Sequence, residues 1–202
     1  MDHQIILDLL RKYQVTPAVI SIVSKYLSLP DHNKSGKGMV AGGALSPLIG
    51  ALYLMPLDKL MEDLQATTGI RYQRYMDDYV IFAPTRHKLR KAIKQMYAVL
   101  DDLKVEVHPK KRFIGTTRRG FDFLGYWLEP HRPLTPSQVS LTRLIDRSRQ
   151  LLERTASIAR LRQYVRRWLQ WHHSGLRGLT ARSSSLECFW RYVTKALKFI
   201  SS

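Results

Sequence analysis

The chain has 202 residues, enough for one sizeable core or a core with an appended helical lobe, and its 45% apolar content excludes a disordered polyelectrolyte. Thirty-three Lys and Arg against sixteen Asp and Glu give +17 and a pI near 10.2, the balance of a protein with a polyanionic partner. A single cysteine, Cys188, excludes an internal disulfide and a cysteine-based zinc cluster, which suits a reducing cytoplasm.

The periodicity predicts a first helix over about 3–12, with Ile5, Ile6, Leu9 and Leu10 on one face, and a second from Pro17 to about Ser28. Asp2 and His3 ahead of that amphipathic start do not form a secretory signal. Three hydroxyl–proline pairs, Thr16-Pro17, Ser46-Pro47 and Thr135-Pro136, read as helix caps followed by proline at the first helical position. Gln138 after Thr135 completes the pattern of a capping box. Residues 29–45 read as a glycine- and lysine-rich loop. Gly38 to Leu57 runs twenty residues without a charge, the length of a membrane span, but Pro47, Pro56 and three internal glycines favour a buried loop and a helix over 47–65.

Residues 70–75 and 79–83 are rich in aromatic and β-branched residues and read as two strands, with Met76-Asp77-Asp78 at the turn of a hairpin. Leu89, Ile93, Met96, Tyr97, Leu100 and Leu103 predict a helix over 85–103. Residues 105–107, 112–114 and 120–128 read as strands, the last pairing with 112–115. Pro130, Pro133 and Pro136 punctuate a linker over 129–136, and everything beyond it reads helical. That last portion, 131–202, holds 14 basic and 3 acidic residues (+11), whereas residues 1–130 hold 19 and 13 (+6). The expected fold class is α+β: an antiparallel-sheet domain with packed helices over 1–130, followed by a basic, all-helical lobe over 131–202.

Two adjacent aspartates at a hairpin tip have few neighbours to neutralise them, and hard divalent cations prefer such oxygen ligands. A solvated turn has the same composition, so the flanking residues must decide. RYMDDYVIF (Arg74 to Phe82) resembles the Tyr-x-Asp-Asp hairpin of reverse transcriptases of the bacterial group II intron and retron-like type. Gly38 to Leu48 resembles that family's loop-to-helix motif under template and nucleotide. Leu103 to Gly115 is similar to its next palm segment, and Gly120 to Leu128 looks like its primer-grip hairpin. Four motifs in order cover about residues 1–130; beyond them the chain matches only as a basic helical thumb.

The resemblance implies an RNA-directed DNA polymerase that joins a dNTP to a primer 3′-hydroxyl on an RNA template with two Mg2+ ions. It assigns Asp77 and Asp78 as metal ligands and catalytic carboxylates. Lys111 becomes a proton donor to pyrophosphate or a phosphate contact, although one more solvated lysine beside Lys110 and Arg112 is an equal reading. Gly42, Gly43, Ser46, Tyr75 and Met76 would lie at nucleotide or template, and Phe123, Leu124 and Gly125 at the primer. Arg160, Arg162, Arg166 and Arg167 would meet the nucleic-acid backbone, while the interleaved Trp168 and Trp171 read as core.

Departures bound that reading. Met1 to Ile6 is similar to the helix that follows the family's first palm carboxylate, so that carboxylate and the fingers are expected from a segment outside these residues, fused or supplied in trans. Asp2 then serves as a favourable charge at a helix start. Val40-Ala41 stand where the family usually has Pro-Gln. The polypeptide is therefore expected to be inactive alone, and a non-catalytic nucleic-acid-binding remnant or subunit is the alternative.

Overall fold

The computed structural model describes residues 1–29, 37–38, 42–154, 157–174, 176, 178–180 and 186–198. Most of the expected 29–45 loop, including Val40-Ala41, lies outside them. The chain divides into two compact units, Met1–Arg112 and Phe113–Ser202. The class is α+β, with helices and two small antiparallel sheets.

In the first unit, α1 (His3–Lys12), α2 (Pro17–Leu27) and α3 (Ser46–Tyr53) close over one core. Ile6, Leu9 and Leu10 of α1 meet Val23 and Leu27 of α2, Ile49 and Tyr53 of α3, and Leu103. Asp2 caps α1 by accepting from the Gln4 and Ile5 amides, satisfying donors that a helix start leaves free. Lys104 donates to the same carboxylate at 2.8 Å and holds it below the usual carboxylate range. The Tyr53 hydroxyl accepts from the Asp2 amide at 3.0 Å and donates to the Leu103 carbonyl at 2.5 Å, tying three distant stretches together.

A second core lies under α4 (Met55–Thr68), β1 (Arg71–Tyr75), β2 (Asp78–Phe82) and α5 (Arg86–Asp102). Leu57, Met61 and Leu64 of α4 pack on Ile70 and Tyr72 and on Ala92, Met96 and Leu100 of α5. The expected single helix over 47–65 is two helices, broken at Leu54 (φ −92°, ψ 2°). Pro56 has no amide to donate backward, so the hydrogen-bond ladder cannot run through it. Among the described residues no helix is long and apolar enough to cross a membrane.

In the second unit, β3 (Phe121–Phe123), β4 (Tyr126–Leu128) and β5 (Thr135–Pro136) form a small sheet in the order β3-β4-β5. The expected pairing of 121–128 with 112–115 is replaced by a hairpin within 121–128 itself, with Phe121 opposite Leu128. Leu124 (φ 53°) and Gly125 (φ 82°) supply the two left-handed residues that a tight two-residue hairpin turn requires. Residues 105–107 and 112–114 belong to no helix or strand and pair with no strand among the described residues.

Helices α6 (Gln138–Glu153), α7 (Ile158–His173) and α8 (Leu186–Lys198) complete this unit around Leu144, Ile145, Val165, Leu169, Phe189 and Val193. The expected caps shift. Thr16 makes no side-chain cap bond, Ser46 is already inside α3, and Ser137 rather than Thr135 caps α6 by accepting from the Ser140 amide. Thr135-Pro136 is drawn into the sheet instead, beside Trp127 and Tyr126.

Candidate active site

The register of β1 and β2 runs from Arg71 opposite Phe82 to Tyr75 opposite Asp78, leaving Met76 and Asp77 as a two-residue loop. Residues opposite one another share a face, and faces alternate along each strand. Tyr72, Arg74, Tyr79 and Ile81 therefore face the helices, while Gln73, Tyr75, Asp78, Val80 and the ends Arg71 and Phe82 face outward. Asp77 and Asp78 are both exposed, and among the described residues neither carboxylate has an ion pair or a side-chain hydrogen bond. Tyr75 is 60% exposed beside them.

The turn is held from behind. Arg74 forms a forked ion pair with Asp58 of α4: Nε donates to Oδ1 at 2.8 Å and the terminal nitrogen Nη2 donates to Oδ2. The remaining nitrogen, Nη1, donates to the Met76 carbonyl at 2.7 Å, inside the loop itself. Tyr72 donates its hydroxyl to the same Asp58 carboxylate at 2.9 Å, and Gln65 accepts from the Tyr72 amide at 2.7 Å. Burial, and then the neighbouring Asp58 carboxylate, push the Tyr72 hydroxyl far up, while Asp58 raises the Arg74 guanidinium. Met76 adopts φ 56°, a left-handed conformation that costs a residue with a Cβ, and the Arg74 hydrogen bond opposes that cost.

Other expected site residues are spread over the fold. Lys111 ends a short 3₁₀ turn (Pro109–Lys111), exposed, and among the described residues no hydrogen bond or ion pair joins it to Asp77 or Asp78. Gly42 stands in left-handed backbone, and a Cβ on Gly43 would run into the Tyr26 hydroxyl, which bonds Ser46 Oγ at 2.9 Å. Phe123 is the last residue of β3, and Leu124-Gly125 form the turn after it. Gly125 is fixed by its carbonyl, which accepts from the Ser137 amide at 3.0 Å, and by the Trp171 ring, 3.1 Å from where a Cβ would lie.

A family model described as Reverse transcriptase (RNA-dependent DNA polymerase) matches residues 1–128. The chain belongs to the reverse transcriptase family. No curated protein matches it. This is a family of nucleotidyltransferases, acting on nucleic-acid template, primer and dNTP. The match takes in both hairpins and stops before the helices α6, α7 and α8.

As donors, Asp77 and Asp78 fit a hard divalent ion: they are adjacent, exposed carboxylates without a competing cation. As a complete two-ion centre the described residues fall short, since among them no three His, Cys, Asp or Glu side chains gather.

In this reverse transcriptase chain, Arg160, Arg166 and Arg167 are exposed on α7, but Arg162 is engaged with Glu187 and lies 5.5 Å over the Trp190 ring. Trp168 is half-buried, as expected of core, whereas Trp171 is 47% exposed and stacks on Tyr126. His172 is 1% exposed, between the rings of Tyr126 and Trp168. Burial, with a smaller contribution from His173, lowers it to about 4. Neither ring nitrogen has a hydrogen-bond partner among the described residues. Asp58 was not among the expected site residues either. Its signal was Arg74 on the inward face of a strand, since a buried guanidinium demands a carboxylate.

Proposed function

We propose that this chain contributes the Asp-Asp hairpin and duplex-holding helices to RNA-templated DNA synthesis, in the manner of the group II intron and retron-like enzymes. The observation that carries the reading is the turn itself: two free carboxylates on an open hairpin face, clamped from behind by Arg74 and Asp58. Preorganised charge at a reacting centre is worth most when its supports do not move during the reaction.

In this reading Asp77 and Asp78 offer carboxylate oxygens to Mg2+, with Asp77 the more direct ligand. Bound magnesium would supply the positive charge that stabilises attacking and leaving oxygens. The outward face carrying Gln73, Tyr75 and Val80 lies open to the primer–template end, with Met76, Gly42, Gly43 and Ser46 on the nucleotide side. Lys111 neutralises phosphate. Phe123, Leu124 and Gly125 hold the primer strand, and Arg160, Arg166 and Arg167 its backbone. Functionally, residues 1–130 act as a partial palm and 131–202 as a thumb, a division by role rather than by the contact boundary at Arg112.

Because the described residues gather no third carboxylate, these 202 residues are proposed to need a further palm and fingers segment, fused or supplied in trans. The same observation favours the second reading, a nucleic-acid-binding subunit without catalysis of its own. Primer extension separates them. With Mg2+, poly(rA)·oligo(dT) and dTTP, the polypeptide alone should extend nothing. With a fingers and first-palm segment of a related enzyme it should extend the primer, and Asp77→Asn should abolish that. Extension by the polypeptide alone would refute the need for a further segment. Extension that survives Asp77→Asn would remove the hairpin from the catalytic site.

A further inference from the structure

One charged surface lies outside every residue given a role above. Between Ala83 and Leu100 the chain has Arg86, Lys88, Arg90, Lys91 and Lys94 and no acidic residue. All of the cations belong to α5, whose buried stripe, Ala92, Met96 and Leu100, packs on α4 and β1. At 100° per residue, His87, Arg90, Lys91 and Lys94 fall on the opposite side and Arg86 on the flank beside Arg90, and all five are exposed. Lys88 points elsewhere, donating to the Thr68 carbonyl at 2.7 Å at the end of α4. Among the described residues none of Arg86, Arg90, Lys91 and Lys94 has an ion pair.

This placement works against the helix. Its first turn holds no acid, its last turn holds no base, and Asp101-Asp102 close the C-terminal end, so the charges oppose the macrodipole at both ends. Arg86 with Arg90, and Arg90 with Lys94, are like charges four residues apart, which destabilises a helix further. Solvent alone gives no reason to concentrate cations there. A polyanion laid along the helix would offset both penalties at once.

We propose that the outer face of α5 binds the phosphate backbone of RNA, as a contact separate from the Asp77-Asp78 turn. A stripe from Arg86 to Lys94 is about 12 Å long, which suits a strand rather than a single anion. The face carries no exposed Leu, Phe or Trp among its cations, as an interfacial membrane helix would. RNA is chosen over other polyanions because of the reverse transcriptase reading. The experiment reads binding, so it stands or falls independently of primer extension.

The test neutralises three positions together, Arg90→Gln, Lys91→Gln and Lys94→Gln, keeping helix propensity. Affinity for a fluorescein-labelled single-stranded RNA of about 20 nucleotides is measured by anisotropy between about 50 and 300 mM salt, where each lost phosphate contact removes about 0.7 from the slope of log affinity against log salt. The triple variant should bind about tenfold more weakly at the low-salt end, with a slope shallower by about 2. Its thermal midpoint should equal or exceed the parent's, because like-charge repulsion has been relieved. Unchanged affinity and slope would make the face merely solvated and overturn the proposal. A lowered midpoint would overturn it too, because the cations would then be structural. So would intact RNA binding accompanied by lost binding to phosphatidylserine vesicles.

Discussion

The clamp behind the Asp-Asp turn gives the sharpest quantitative test. Replacing Arg74 with Leu removes a guanidinium whose side chain is 13% exposed and strands the Asp58 carboxylate, 26% exposed, with only the Tyr72 hydroxyl. Breaking a fully buried pair costs about 3–5 kcal/mol, and a fully exposed one about 0–1. With Asp58 about a quarter exposed, the pair should fall between, near 2 kcal/mol. The charged hydrogen bond to the Met76 carbonyl is exposed and adds about 1 kcal/mol. Arg74→Leu should therefore lower the stability of the first unit by about 3 kcal/mol, read from urea unfolding by far-UV circular dichroism at neutral pH. Asp58→Leu should cost a similar amount. The double variant should cost far less than the sum, since no unpaired charge remains. Adding Met76→Gly to Arg74→Leu should return about 1 kcal/mol, by removing the left-handed strain that Arg74 opposes. A loss under about 0.5 kcal/mol for Arg74→Leu would mark an ordinary surface contact, and strictly additive single variants would mean no coupling through the pair.

The buried imidazole of His172 makes the second unit acid-sensitive. The folded group titrates near 4 against an ordinary 6.5, so between those values the unfolded chain binds the extra proton. Stability should be full above about 6.5, fall as pH is lowered toward about 4, and level off below it. Urea midpoints across pH should follow that course, and His172→Phe should flatten it; a wild-type profile without the fall would disprove the burial argument. At Gly120, with φ 67°, a Cβ would sit 2.5 Å from the Trp127 ring. Gly120→Ala should therefore cost about 2 kcal/mol or more and shift the indole emission, whereas a neutral effect would mean that the ring yields freely.

The Asp-Asp hairpin was legible in advance because its two runs are rich in aromatic and β-branched residues and the turn between them is short, so the strands and the position of both carboxylates follow from the sequence. The resemblance marked Gly120 to Leu128 as a hairpin, but residue pattern alone misassigned its pairing to 112–115. Phe121 to Leu128 is apolar but for Asp122, and its turn places Leu124, a residue with a Cβ, in a left-handed conformation that no propensity announces. Hydroxyl–proline pairs marked helix starts to within a residue or two but misassigned the cap, because β4 recruits Thr135-Pro136 as a strand and leaves the capping to Ser137. The break at Leu54 was written in Pro56, yet the continuous run of leucines concealed it. Which carboxylate answers Arg74 was hidden for a different reason. A partner sixteen residues away, across a helix and a strand, leaves no periodic trace. His172, by contrast, leaves a periodic trace, since it stands four residues after Trp168, read as core, and seven after the buried Val165.

The aromatic stack around His172 also gives the molecule a built-in optical label. All four tryptophans, Trp127, Trp168, Trp171 and Trp190, belong to the second unit, while the first has seven tyrosines and none of the indoles. Selective excitation of indole thus reports on one half alone, without any engineered dye. Trp168 lies 5.7 Å from the His172 ring and nearly parallel to it, so a protonated imidazole would quench its emission directly. The colour and intensity of native fluorescence should thereby separate loosening of the basic helices from melting of the half that carries Asp77 and Asp78.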